Sequence, residues 1–152
     1  MRAFLFVLMM AAAVAGHAQT PTPLAVPARA AAKLEKVLKK TQDWVVTDKK
    51  PGLLPVEARP TVNRVLVQST TEFLALIANN PTKESCLQIL NSGLNELHPL
   101  VKTAGERQEL ALYYQNLLDI VGLPSSDGLL SAFVKRRPAA VGAKRPAKLG
   151  SR

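Results

Sequence analysis

The sequence predicts an all-α fold: a small bundle of four main helices and a short C-terminal fifth, followed by a disordered basic tail. Three observations lead there. Between residues 28 and 134 the apolar residues recur at the three-to-four-residue spacing of a helix face. No run alternates apolar and polar residues long enough to argue a strand, and no fixed-period repeat is visible. The apolar segments are separated by proline-, glycine- and asparagine-containing breaks that read as helix starts and stops.

The first helix is expected over residues 28–45, with Leu34, Val37, Leu38, Thr41, Trp44 and Val45 on one side. Lys49-Lys50-Pro51-Gly52 breaks it. The second begins near Pro60, because proline fits a first helical turn whose amide would lack an intrahelical acceptor anyway. Its inward stripe is Val62, Val65, Leu66, Ser69, Phe73, Leu76 and Ile77. Asn79-Asn80-Pro81-Thr82 ends that helix and starts the third, whose apolar face is Cys86, Leu87, Leu90, Leu94 and Leu97. Gly93 within it predicts a close crossing with a neighbour, and the helix should stop before His98-Pro99.

The fourth helix has the clearest boundaries. Thr103-x-x-Glu106 is a capping-box pattern, and Leu110, Tyr113, Tyr114, Leu117, Leu118 and Val121 follow at the spacing of a buried face. Gly122 suits a left-handed C-terminal residue, Leu123 can pack back on the last turn, and Pro124 prevents continuation. Ser125-Ser126-Asp127-Gly128 reads as a turn, and Leu129, Leu130, Phe133 and Val134 as a short helix closing over the core.

The ends of the chain differ in kind from this domain. Met1 and Arg2 precede an unbroken apolar run over residues 3–15, and Gly16-His17-Ala18 supplies small residues at a cleavage site, so residues 1–18 are expected to be a signal peptide. The run of 13 residues is too short for a spanning helix, which needs about 20 apolar residues. Cleavage before Gln19 would leave 134 residues, exported to the periplasm or secreted, with no transmembrane segment. Residues 19–27, with Pro21, Pro23 and Pro27 among them, read as a linker.

Charge is concentrated at the other end. Lys135, Arg136, Arg137, Lys144, Arg145, Lys148 and Arg152 face no acidic residue within 135–152, whereas residues 19–134 hold twelve basic and eleven acidic side chains. With almost no large apolar residue, 135–152 cannot offset the entropy of ordering and is expected to be disordered. Its cations could engage an anionic envelope polymer or a lipid surface. It lacks interleaved aromatics and the chain reads as exported, which disfavours nucleic acid.

No constellation for catalysis stands out. Cys86 is the only cysteine, so no intrachain disulfide can form, and its place on an apolar stripe predicts a small buried hydrophobe. His98 lies twelve residues further on, more than three turns of a straight helix away and out of reach of a thiolate pair. A set of Ser125 or Ser126 with His98 and Asp127 has no Gly-x-Ser-x-Gly elbow behind it. One cysteine and one histidine in the mature chain serve a metal poorly, and no phosphate-cradling glycine loop is present, so no cofactor is expected.

Glu106-Arg107, Tyr113-Tyr114, the run from Leu118 through Gly122 to Leu123, and Ser125-Ser126-Asp127-Gly128-Leu129-Leu130 resemble the end of a bacterial helical domain family of unknown function, the 4844 type. Lys50-Pro51-Gly52-Leu53 and Asn80-Pro81-Thr82 are similar to earlier landmarks, so the resemblance spans residues 28–134. The family tends to carry an acidic stretch before its Glu-Arg pair, where this chain has Thr103-Ala104-Gly105. The resemblance implies a helical domain and no established activity.

Together these readings lead to the expectation of an exported, non-catalytic interaction module that binds another protein, as an inhibitor or immunity-type protein would. The alternative class is a periplasmic hydrolase with a site assembled from scattered residues. The expected contact surface is the loop bearing Leu123, Ser125, Ser126, Asp127 and Gly128, since turns present adaptable groups on a rigid scaffold.

Overall fold

A computed structural model describes residues 21–47 and 52–136; the expected signal peptide and the basic stretch from Arg137 onward lie outside the described residues. The helices are α1 (Ala30–Thr47), α2 (Arg59–Ile77), α3 (Lys83–Leu97), α4 (Ala104–Val121) and α5 (Leu129–Lys135), with 3₁₀ turns at Val56–Ala58 and His98–Leu100. Among the described residues there is no strand, only an isolated bridge between Pro23 and Thr82. The fold is an all-α bundle. Helices α1, α2 and α3 pack in sequence, α4 crosses both α1 and α2, and α5 folds back on α4 and touches α3.

The local signals act as their chemistry dictates. The Thr82 hydroxyl caps α3 by accepting from the Ser85 amide at 3.1 Å. At α4 the Glu106 amide donates to Thr103 Oγ1 at 3.2 Å, while Glu106 Oε2 accepts from the amides of Thr103 and Lys102. Gly122 closes the helix at φ 83°, and the Leu123 amide reaches the Leu118 carbonyl at 2.9 Å.

The core is drawn from all five helices, with Leu34, Phe73, Leu90, Leu117 and Phe133 among its large side chains. Through its middle runs a set of hydroxyls that ties α1, α2 and α4 together. Tyr113 Oη lies 2.9 Å from Thr41 Oγ1 and 2.7 Å from Thr70 Oγ1, and Tyr114 Oη lies 2.8 Å from Ser69 Oγ. Gly93 lets α3 come against this set: a Cβ there would enter the space held by the Tyr114 and Ser69 hydroxyls. That is the close crossing its position predicted.

Three expectations change. Helix α1 begins at Ala30 and runs to Thr47, and Val45, expected inward, is exposed, because the core side of α1 is set by Ala30, Leu34 and Thr41. Asn63 and Thr70 are buried on α2, while Leu76 and Ile77 are only half-buried near the frayed end. The third concerns the proline-rich segment expected as a linker. Residues 21–27 form a strap on the bundle: the Leu24 amide donates to the Pro81 carbonyl and the Lys83 amide to the Thr22 carbonyl, both at 2.9 Å. The Thr22 amide donates to Glu84 Oε2, and Leu24 and Val26 pack on the core. Pro21 and Pro23 have no amide hydrogen, so the Thr22 and Leu24 amides are the donors here, and each proline fixes its own φ, which lowers the entropy lost on docking.

Candidate functional site

The loop expected to be the contact surface leaves Ser125, Asp127 and Gly128 exposed but is tied into the fold at Leu123 and Asp127. Leu123 is 6% exposed and belongs to the core, so it is not available to a partner; its role is to seal the end of α4. Ser125 Oγ accepts from the Asp127 amide at 3.2 Å and donates to Asp127 Oδ1 at 3.1 Å. Asp127 takes φ 49° and Gly128 φ 84°, the left-handed pair that makes the turn into α5. Asp127 Oδ2 then pairs with Lys83 Nζ at 2.8 Å, and this bond, helped by Ser125, holds its carboxyl below the ordinary value. Ser126 is half-buried and its carbonyl accepts from the Leu129 amide. The loop therefore meets the start of α3, where the strap also docks.

The residues weighed for catalysis are held apart. Cys86 is fully buried one turn into α3, and burial pushes its thiol up to about 11, away from the thiolate. His98 follows the far end of α3, while the Asp127–Lys83 pair sits at its beginning. Nearly the whole length of a 15-residue helix, about 22 Å, separates them. Among the described residues no group of three or more His, Cys, Asp or Glu side chains is placed to hold a metal ion.

The Glu106-Arg107 pair also has a structural account. Burial opposes the Glu106 charge, but the amides of Lys102 and Thr103 outweigh it, with the Thr103 hydroxyl and Arg107 assisting, so its carboxyl stays below the ordinary value. Arg107, 6% exposed, donates from Nε to the Val134 carbonyl at 3.1 Å and from Nη1 to the Lys102 carbonyl at 3.3 Å. It fastens the last turn of α5 to the beginning of α4.

What sequence reasoning missed lies on the outer side of α1 and α2. There an open groove of about 700 Å³ is lined by Val45, Val46, Pro60 and Val67, with Lys39 and Arg64 at its edge. Val46 is 85% exposed, and the connection leading to α2 exposes Leu53 and Val56 as well. One signal could have found it. Adjacent valines on a helix point in directions about 100° apart, so Val45 and Val46 cannot both face one core.

Residues 25–138 match the family described as Domain of unknown function (DUF4844). The chain belongs to this family. The match runs from the strap, where Ala25 and Pro27 lie against Gly122, to the end of α5. No curated protein and no solved structure matches the chain. The landmarks that carried the resemblance, Gly52-Leu53, Asn80-Pro81-Thr82, Glu106-Arg107 and Ser125 to Gly128, are caps, turns and ties between elements. The Leu53 amide, for one, donates to Glu109 Oε2 at 2.9 Å.

Proposed function

We propose that this member of the family is an exported, non-catalytic helical module that works by binding another protein, in the manner of an inhibitor or immunity-type protein. The observation that carries the reading is the placement of its chemistry-bearing side chains. Cys86 is sealed in the core, His98 stands at the far end of α3 from Asp127, and Ser125 and Asp127 are engaged with each other and with Lys83. The surface also leaves Val45, Val46, Leu53 and Val56 exposed, and exposed apolar patches mark contact surfaces. No helix among the described residues is long and apolar enough to cross a membrane.

Export rests on residues 1–18, with a periplasmic or secreted product cleaved before Gln19. Lys135 and Arg136, with the cations beyond them, would add attraction to an anionic polymer or lipid surface without fixing orientation.

The test joins capture to catalysis. A partner identified from the envelope extract and reassembled from purified components should bind wild type and the Cys86→Ala, His98→Ala, Ser126→Ala and Asp127→Ala variants alike. Turnover in a hydrolase panel that one of these substitutions abolishes, with the fold intact, would establish the enzyme reading in its place.

A further inference from the structure

We propose that the groove between α1 and α2 is the docking surface of the module, and that it receives an acidic amphipathic segment of the partner protein. The inference rests on the partner being a protein, as proposed above.

The groove has the build of a helix-binding site. Val45, Val46, Pro60 and Val67 give it an apolar floor between two helices, and Lys39, Gln42, Asp43 and Arg64 give it a polar rim. Val46 leaves 85% of its surface in solvent and Val45 46%, so an occupant would bury side chains that the fold itself leaves uncovered. Among the described residues its lining comes from α1 and α2 alone.

Charge decides the occupant. Among the described residues Lys39, Asp43 and Arg64 make no ion pair, so the groove is bordered by two cations and one anion with their electrostatics unspent. Helix α1 as a whole sets Lys33, Lys36, Lys39 and Lys40 against Glu35 and Asp43. A second copy of the chain would bring Lys39 and Arg64 toward their own kind with Asp43 alone to offset them. The basic residues of 135–152 would meet the same repulsion. A segment with an apolar stripe flanked by Asp or Glu satisfies both floor and rim.

Three synthetic helical peptides of equal length serve as probes: a leucine stripe flanked by glutamates, the same stripe flanked by lysines, and the glutamate peptide with its leucines replaced by serine. Each is titrated into the full chain, uniformly labelled with ¹⁵N, and amide shifts are followed by NMR. The glutamate–leucine peptide should move the amides of residues 42–47 and 61–67 and bind roughly tenfold tighter than either of the others. Arg64→Glu should reverse the preference toward the lysine peptide, and Val46→Asp should abolish binding of both. The two variants keep the fold, because neither side chain is part of the core.

Equal binding of the glutamate and lysine peptides, or shifts centred away from the groove, would overturn the proposal. So would concentration-dependent broadening of the groove amides without peptide, which would show a second copy seated there. A partner that binds Val46→Asp and Arg64→Glu as tightly as wild type would sink the groove while leaving the binding-module reading in place. Failure to bind any protein would sink that reading.

Discussion

Helices α1 and α4 are both 18 residues long, yet they serve opposite ends. Helix α4 is capped on each side and buries residues on most of its circumference, including Leu110, Tyr114, Leu117 and Val121, and even its charged Glu106 and Arg107. Helix α1 buries Ala30, Leu34 and Thr41 and turns lysines and two valines outward. One helix is enclosed on most sides; the other lends the molecule a surface. The difference teaches that equal length and similar apolar content do not imply equal roles: what matters is how many faces are claimed by neighbours.

The largest effect should separate the two helices outright. Leu117→Ala removes a fully buried side chain from α4 and should cost about 2–5 kcal/mol, whereas Val46→Ser on α1 should stay within about 0.5 kcal/mol. Urea denaturation followed by far-UV circular dichroism reads both. Similar losses at the two sites would dissolve the contrast.

Next comes the place where α3 meets the Tyr114 and Ser69 hydroxyls. Gly93→Ala places a methyl group where the Tyr114 and Ser69 hydroxyls meet, so one of them must move out of a fully packed site. A loss of about 1–3 kcal/mol is expected, as for other overpacked cores. If Tyr114→Phe in the same background restores the loss, the Tyr114 hydroxyl is the obstruction; if it does not, the Ser69 hydroxyl or the Tyr114 ring is.

Helix α2 offers a test in the other direction. Asn63 is fully buried, and neither Oδ1 nor Nδ2 has a hydrogen-bond partner among the described residues. Replacing it by Leu, which has the same heavy-atom branching, removes that desolvation cost and should stabilise the chain by about 1–2 kcal/mol, less what its bulkier methyl groups cost to fit. A destabilised Asn63→Leu protein that Asn63→Ala matches or exceeds would mean that the amide is satisfied in solution.

The same contrast explains what could be read from the amino-acid sequence. Signals that act within one turn were legible: Thr103 with Glu106, Thr82 at the start of α3, Gly122-Leu123-Pro124 at the end of α4. Each depends only on neighbours in sequence, and together they delimit the bundle. The strap was not legible, because a proline-rich stretch looks the same whether or not Pro81 and Lys83 offer it backbone partners. The ties of the expected contact loop were hidden for a related reason. Ser125 and Asp127 resemble a free polar turn until Lys83, distant in sequence, is seen to hold the carboxylate. Leu123 was rightly read as packing on the last turn and wrongly also as surface. Val45 was assigned inward because its spacing from Thr41 fits a face, and only the packing of α2 reveals which face the core claims.

The smallest effects belong to the caps that give α4 its precedence. Thr103→Ala should cost about 1 kcal/mol, since the Glu106 amide loses its acceptor. Glu106→Gln should cost less at neutral pH but change the acid response. The sign follows from the lowered Glu106 carboxyl: its contribution is fully present above the ordinary glutamate value, near roughly 4.3, and is lost as pH falls through the lower folded value. Asp127 and Glu84, also lowered, act in the same direction, Asp127 through Lys83 and Glu84 through its own amide and that of Thr22. Stability should therefore fall on acidification below about pH 4, and Glu106→Gln should fall less steeply than wild type, because one group that binds a proton on unfolding is gone. Urea midpoints measured between neutral pH and about pH 3 decide the matter. Parallel slopes for wild type and Glu106→Gln would show that the Glu106 charge, and with it the reciprocal half of the capping box, contributes nothing to holding α4 in place.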